Sequence, residues 1–292
     1  MKTSHYLRGV LGMSGSAVLF SGMALLISYA EGVSFFTIAL FRFIIGLGIL
    51  TTLAIFRQIR LEFNNRLLLF LRGLFGGIGV TLFYLAIVKI GIAKGTVISN
   101  TFPVFATLGG VLFLKDRVRP LVWLSLGFSL IGLALLTRST WSSGFSGEND
   151  LWVVWASIGA VAGGAAIVCV KRLRETDTSV SIFLSQSLIG FWIVLVPAGL
   201  TASKIGLGIV WIMVGVGALA TLAQLLMTWS FAHVPISTGS LLSLLTPVCN
   251  VILGVLLFKE TLTTGEAIGS ALILLACAVV AVLGKEPIAV RR

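Results

Sequence analysis

The sequence predicts an all-α integral membrane protein, with ten transmembrane helices arranged as two inverted five-helix repeats. Three observations lead there. Of the 292 residues, 58% are apolar and 11% charged, with a mean hydropathy of +1.10; a soluble domain carries about a quarter charged residues. The apolar residues gather in runs of the ~20 residues that an α-helix needs to cross the hydrocarbon core. Finally, Ile92, Gly95, Ser99, Pro103 and Val104 recur in order as Ile236, Gly239, Ser243, Pro247 and Val248, at a constant offset of 144 (247 − 103). The match continues without a gap, with Gly110-Val111-Leu112 and Lys115-Asp116 answering to Gly254-Val255-Leu256 and Lys259-Glu260.

The spans are expected near residues 9–30, 35–56, 67–88, 95–114, 120–137, 151–170, 180–200, 209–231, 237–258 and 264–284. The first follows Lys2 and Arg8 as a signal peptide would, but it exceeds 18 residues and ends in no small-residue cleavage pattern, so it should remain a helix. The second carries Arg42 inside Leu40-Phe41-Arg42-Phe43-Ile44. The third has glycines four residues apart, Gly73 and Gly77, as the sixth has Gly159 and Gly163, a spacing suited to close helix contact. The fourth and ninth each hold a proline, Pro103 and Pro247. After the fifth, the Ser/Gly-rich stretch from Arg138 to Asp150 divides the chain into a first repeat at 1–141, a linker at 142–150 and a second repeat at 151–292.

The net charge of +11 does not point to nucleic acid, because the basic residues sit at span ends and are not clustered with aromatics. They set orientation. With the N-terminus in the cytoplasm, Lys2, Arg8, Arg57, Arg60, Arg66, Lys115, Arg117, Arg119, Lys171, Arg172, Arg174, Lys285, Arg291 and Arg292 lie inside, against Lys89, Lys94, Arg138, Lys204 and Lys259 outside. Both termini are then cytoplasmic. The matching fourth and ninth spans lie an odd number of crossings apart, so they run in opposite directions. A pseudo-two-fold axis in the membrane plane relates such halves, and the site usually lies near the midplane between them.

Several classes are disfavoured. Cys169, Cys249 and Cys277 all sit within spans without metal-type spacing, so no metal site or disulfide framework is expected. His5 and His233 stand near no Cys, Asp or Glu at a ligand spacing, and no catalytic set or cofactor site emerges. No acid falls mid-span, since Asp116 and Glu260 end spans four and nine, which argues against a buried carboxylate proton relay. The scatter of polar groups resembles neither a charged ring nor a carbonyl filter.

What remains are polar groups at membrane depth. Pro103 has no N–H and its ring clashes with the carbonyl of Ser99; Pro247 does the same to Ser243. Ser99, Asn100 and Thr101 gather at one of these helix breaks, and Ser243, Thr246 and Asn250 at the other. At 100° per residue, Ser243, Pro247, Asn250 and Gly254 share a face, as do Asn100, Pro103, Thr107 and Gly110, and both faces are expected to look inward. The bland alternative is a proline kink whose hydroxyls bond back to their own helix. A charge such as Arg42 at the helix centre costs at least about 2.5–3.5 kcal/mol and needs a partner or water; Arg42 either holds a substrate carboxylate, snorkels outward or caps a neighbouring helix. Arg72 reads as an interface anchor near the cytoplasmic end of span three. Tyr84, Trp155 and Gln224 complete the cavity candidates, with Trp152, Gln186, Thr228 and Trp229 as further polar handles. A cavity lined by spans one, three, four, six, eight and nine is expected.

Ten spans in two repeats, Gly-Xaa3-Ser-Xaa3-Pro in the fourth and ninth, and the endings Leu114-Lys115-Asp116 and Phe258-Lys259-Glu260 resemble the EamA family of the drug/metabolite transporter superfamily. Arg42 between two phenylalanines and Tyr84-Leu85-Ala86 are similar to that family's pattern. The resemblance implies an inner-membrane permease, not an enzyme, that moves small metabolites, often amino acids and commonly outward, through a central cavity by alternating access. Its partners are then a small-molecule substrate and the lipid bilayer. Importers of compounds such as S-adenosylmethionine or riboflavin belong to the same family, and a non-transporting membrane scaffold is the competing class.

Overall fold

The structure, a computed structural model, describes residues 2–30, 32–90, 92–137, 150–201, 206–259, 261 and 263–283. Except for Asp150, the linker expected at 142–150 lies outside the described residues, as do Glu260, Lys285, Arg291 and Arg292. Every regular element described is a helix: α1 (Lys2–Ser28), α2 (Phe35–Ile55), α3 (Arg66–Ile90), α4 (Ile92–Ser99), α5 (Phe102–Leu114), α6 (Pro120–Leu136), α7 (Asp150–Leu173), α8 (Ser179–Leu200), α9 (Leu207–Ser230), α10 (Ile236–Leu242), α11 (Leu245–Phe258) and α12 (Thr264–Leu283). Among the described residues, nine stretches are long and apolar enough to cross a membrane, with α4–α5 and α10–α11 each forming one of them. The apolar α6 is shorter, at 17 residues.

Local chemistry sets the helix ends. The Ser34 side chain caps α2 by accepting from the Phe36 N–H at 3.3 Å, and Thr178 caps α8 through the Ser181 N–H at 3.2 Å. Pro120 opens α6, where its missing N–H costs nothing. Lys115 and Lys259, exactly one repeat offset apart in sequence, end α5 and α11 in the same left-handed conformation, with φ of 58° and 54°. Their N–H groups return to the carbonyls of Gly110 and Gly254, so the matched residues build the same terminus twice.

Packing follows the same pairing. Helix α1 lies along α9 as α3 lies along α7, and α2 contacts α9 as α3 contacts α8. Helices α6 and α12 pair with each other, as do α2 and α8, while α5 meets α10. The glycines of α3 and α7 serve close approach: a Cβ on Gly77 would stand 3.2 Å from the Gly190 Cα of α8, and one on Gly159 would stand 2.9 Å from the Leu82 Cβ. Where α6 crosses α12, a Cβ on Gly132 would lie 2.7 Å from the Gly269 carbonyl oxygen, so only glycine lets the backbones touch.

The exterior is apolar over a wide area, with Phe113, Trp192, Leu200 and Trp211 among the large side chains turned outward. A surface of this kind belongs in hydrocarbon. At one end of the bundle, the segment before α3 is tied to the turn between α7 and α8: the Asn64 N–H donates to Asp177 Oδ1 at 2.9 Å, and the Glu62 N–H to Ser181 Oγ at 2.8 Å. At the same end, Lys171 Nζ donates to the carbonyls of Phe231 and Val234, at 2.8 and 2.7 Å, fastening the end of α7 to the corner between α9 and α10.

Candidate functional site

A cavity of about 250 Å³ opens between α2, α3, α4, α5, α7, α8 and α9. Arg42 enters it from α2 and is 8% exposed; Arg72 enters from α3 and is 2% exposed. Each guanidinium is bonded to a glutamine. Arg42 Nη2 donates to Gln224 Oε1 at 3.2 Å, and Arg72 Nη2 donates to Gln186 Oε1 at 2.6 Å. Thus α2 is joined to α9, and α3 to α8, by the same type of bond. The Arg42 guanidinium also stands 5.6 Å from the centre of the Phe20 ring of α1, within cation–π range.

These bonds leave much of the polar surface unused. Arg42 Nε, Arg72 Nε and Gln224 Nε2 are buried and have no hydrogen-bond partner. Among the described residues, no Asp or Glu lines the cavity and neither arginine has an ion pair. Gly76 makes room for the arrangement, because a Cβ there would fall on Arg72 Nη1 and come within 3.3 Å of Gln186.

The break between α4 and α5 forms part of the wall through Ser99, Asn100 and Phe102. It is a tightened turn, not an unravelled one. The Thr101 N–H bonds to the Ile98 carbonyl at 3.1 Å and the Val104 N–H to the Thr101 carbonyl at 3.0 Å, a three-residue spacing. Pro103 then sits in the first turn of α5, where no N–H is required. The Asn100 amide donates to the Thr96 carbonyl at 2.8 Å and the Thr101 hydroxyl to the Ile98 carbonyl at 2.6 Å, whereas the Ser99 hydroxyl is buried without a partner. Thr101, the N-cap of α5, therefore makes no side-chain bond to that helix.

The second break has the same spacing, with Leu244 N–H to Leu241 O at 3.0 Å and Thr246 N–H to Ser243 O at 3.1 Å, and Pro247 is buried just beyond it. Its side chains go elsewhere. Ser243 donates to the Ser240 carbonyl at 2.5 Å, and Ser21 of α1 donates to the Thr246 carbonyl at 3.1 Å, so this break is fastened to α1 and is not part of the cavity wall. Asn250 is exposed on α11, whose buried side packs against α1 and α12. Pro247 and Gly254, on the same expected face of α11, are buried, so Asn250 alone of the three turns outward.

Two further residues depart from expectation. Tyr84 is buried in an aromatic cluster, 6.1 Å from Phe35 and 5.3 Å from Phe83 between ring centres. Trp155 is 43% exposed and does not line the cavity. Of the expected residues, Arg42, Ser99, Asn100 and Gln224 meet in the cavity; Tyr84, Trp155, Ser243, Thr246 and Asn250 do not. The walls come from spans two, three, four, six, seven and eight, with spans two and seven in place of one and nine. Arg72 is no interface anchor, and Gln186, only a further polar handle in the sequence, is its partner. One signal for Gln186 was present: it stands 144 residues after Arg42 (186 − 42), the offset of the repeat.

The sequence model of the EamA-like transporter family matches residues 7–138 and 150–282. Solute carrier family 35 member G1 of Mus musculus is 30% identical over 179 residues, 58% of this chain and 48% of that protein. The human protein of the same name is 29% identical over 66% of this chain and 53% of its own. These alignments span about half the length of the solute carrier relatives. The pseudopaline exporter CntI of Pseudomonas aeruginosa is 26% identical over 219 residues, 72% of this chain and 73% of that protein. A crystal structure superposes with a TM-score of 0.79 over 97% of this chain and 98% of its own, at 20% identity, a likeness of fold alone.

Proposed function

Because the chain belongs to the EamA-like transporter family, we propose that it is a secondary transporter that carries a small polar metabolite, an amino acid or amino-acid-like compound, out of the cell by alternating access. The observation that carries this reading is the cavity itself. Helices from both halves of the chain wall it, beside a broken helix, with charged and amide side chains in an otherwise apolar bundle. Such groups are expensive in hydrocarbon and mark a substrate path. The outward direction draws support from the relative named as an exporter.

In this reading, the ten spans form two inverted five-helix repeats, with α6 as the fifth span and both termini in the cytoplasm of an inner-membrane protein. The matched Lys115 and Lys259 termini, the paired packing of α1 on α9 and α3 on α7, and the two stretches matched by the family model support it. Substrate bound between the halves is exposed to one side and then the other as they rock. Purified full-length protein in proteoliposomes loaded with labelled amino acids is expected to release them faster than protein-free vesicles, and to do so more slowly at saturating unlabelled competitor. Release at the protein-free rate for every amino acid and small organic acid tried would reject the transporter.

A further inference from the structure

Among the described residues, the cavity holds two buried positive charges and no negative one. Arg42 and Arg72 are each at least nine-tenths buried, and both line the same 250 Å³ space. Each is held by one neutral amide oxygen, which orients the guanidinium but cannot balance its charge. Both Nε atoms remain open, and Gln224 offers a further unpartnered amide N–H. The wall at the α4–α5 break adds a buried Ser99 hydroxyl and the N-terminal end of the 13-residue α5, whose N-cap side chain is turned away from it. Every unsatisfied feature named here is a hydrogen-bond donor or a positive end.

Resting on the transporter reading above, we infer that the substrate is a small organic dianion with two carboxylates, one held by Arg42 with Gln224 and the other by Arg72 with Gln186. Planar guanidiniums match carboxylates in a bidentate fashion, and a bound anion would satisfy the Nε groups that the glutamines leave free. Two carboxylates neutralise the site; a neutral amino acid would leave it charged and would bring an ammonium group to a wall without an acid. The volume is below the ~300–1,000 Å³ of drug-sized ligand sites, which restricts the dianion to a few carbons.

The full-length protein in proteoliposomes tests this with a panel at equal concentration: succinate and glutarate as dicarboxylates, alanine as a neutral zwitterion, pyruvate as a monocarboxylate, and glycerol phosphate as a dianion of another kind. Succinate and glutarate are expected to cross about tenfold faster or more than alanine and pyruvate, the size of one charge-assisted hydrogen-bonded contact. Arg42→Gln and Arg72→Gln should each remove most of that preference by raising KM for the dicarboxylates. Alanine crossing as fast as succinate in the unmodified protein overturns the inference while upholding transport, and so does preferential movement of glycerol phosphate. Thermal stabilisation of the detergent-solubilised protein by succinate but not by alanine supports the site independently. If that stabilisation occurs while nothing crosses the vesicle, the transporter reading fails and the dianion site stands.

Discussion

Arg42 and Arg72 show what could be read from single residues. An arginine inside an apolar run is visible at once, which makes Arg42 a cavity candidate from sequence; Arg72, six residues from the start of α3, reads as an interface anchor. Its side chain reaches the cavity all the same, and Gly76 makes the space. Its dependence on Gln186 can be measured. Gln186→Leu leaves a buried guanidinium without its amide partner and is expected to destabilise the protein by about 1.5–3 kcal/mol, read as a lower melting temperature in detergent. At the bundle end, burial pushes the His233 imidazole below its usual 6.5, with His5, Arg174 and Lys171 acting in the same direction and the Trp229 carbonyl opposing. Below 6.5 the unfolded chain then binds the proton more readily than the folded one, so stability falls as pH drops through that window and is level above it. His233→Phe should flatten the lower end of a melting-temperature profile against pH.

At the scale of elements, helix positions were legible to within a few residues at most ends, because apolar runs bounded by charge fix them. The first helix, which starts at Lys2 and not near residue 9, departs furthest. Both breaks were legible from Pro103 and Pro247. Their roles were not, since whether a break faces a cavity or another helix depends on which neighbour covers it. The α4–α5 break looks into the cavity, whereas Ser21 of α1 holds the α10–α11 break. The crossing of α6 and α12 is the tightest test of packing between elements. Gly269→Ala would drive a Cβ against the Gly132 carbonyl and the Leu136 N–H, and a loss of about 1–3 kcal/mol is expected as the backbones separate. Fluorescence-detected size-exclusion after a heating series would read it as a lower midpoint.

At the scale of the whole molecule, the 144-residue offset carried the duplication, and the same offset links Arg42 to Gln186, so part of the cavity was encoded in the repeat. The other pairings were hidden. Arg42 meets Gln224 and Arg72 meets Gln186 across helices that are distant in sequence, and no local spacing encodes those contacts. The proposed inverted arrangement predicts that tags on the two termini are cleaved from the same side of sealed vesicles; protection of one with loss of the other would break the proposed pairing of the halves. The uncompensated guanidiniums have an electrical consequence as well. A charge moved through the full membrane field exchanges about 2.3 kcal/mol per 100 mV. In the proposed alternating-access cycle, rocking that carries Arg42 and Arg72 across part of that field would make reorientation of the vacant protein voltage-dependent, whereas the form loaded with the proposed dianion would turn as a neutral body. In that cycle the membrane potential would act on the return stroke, and the direction of net flux would become a matter of which side holds the empty site.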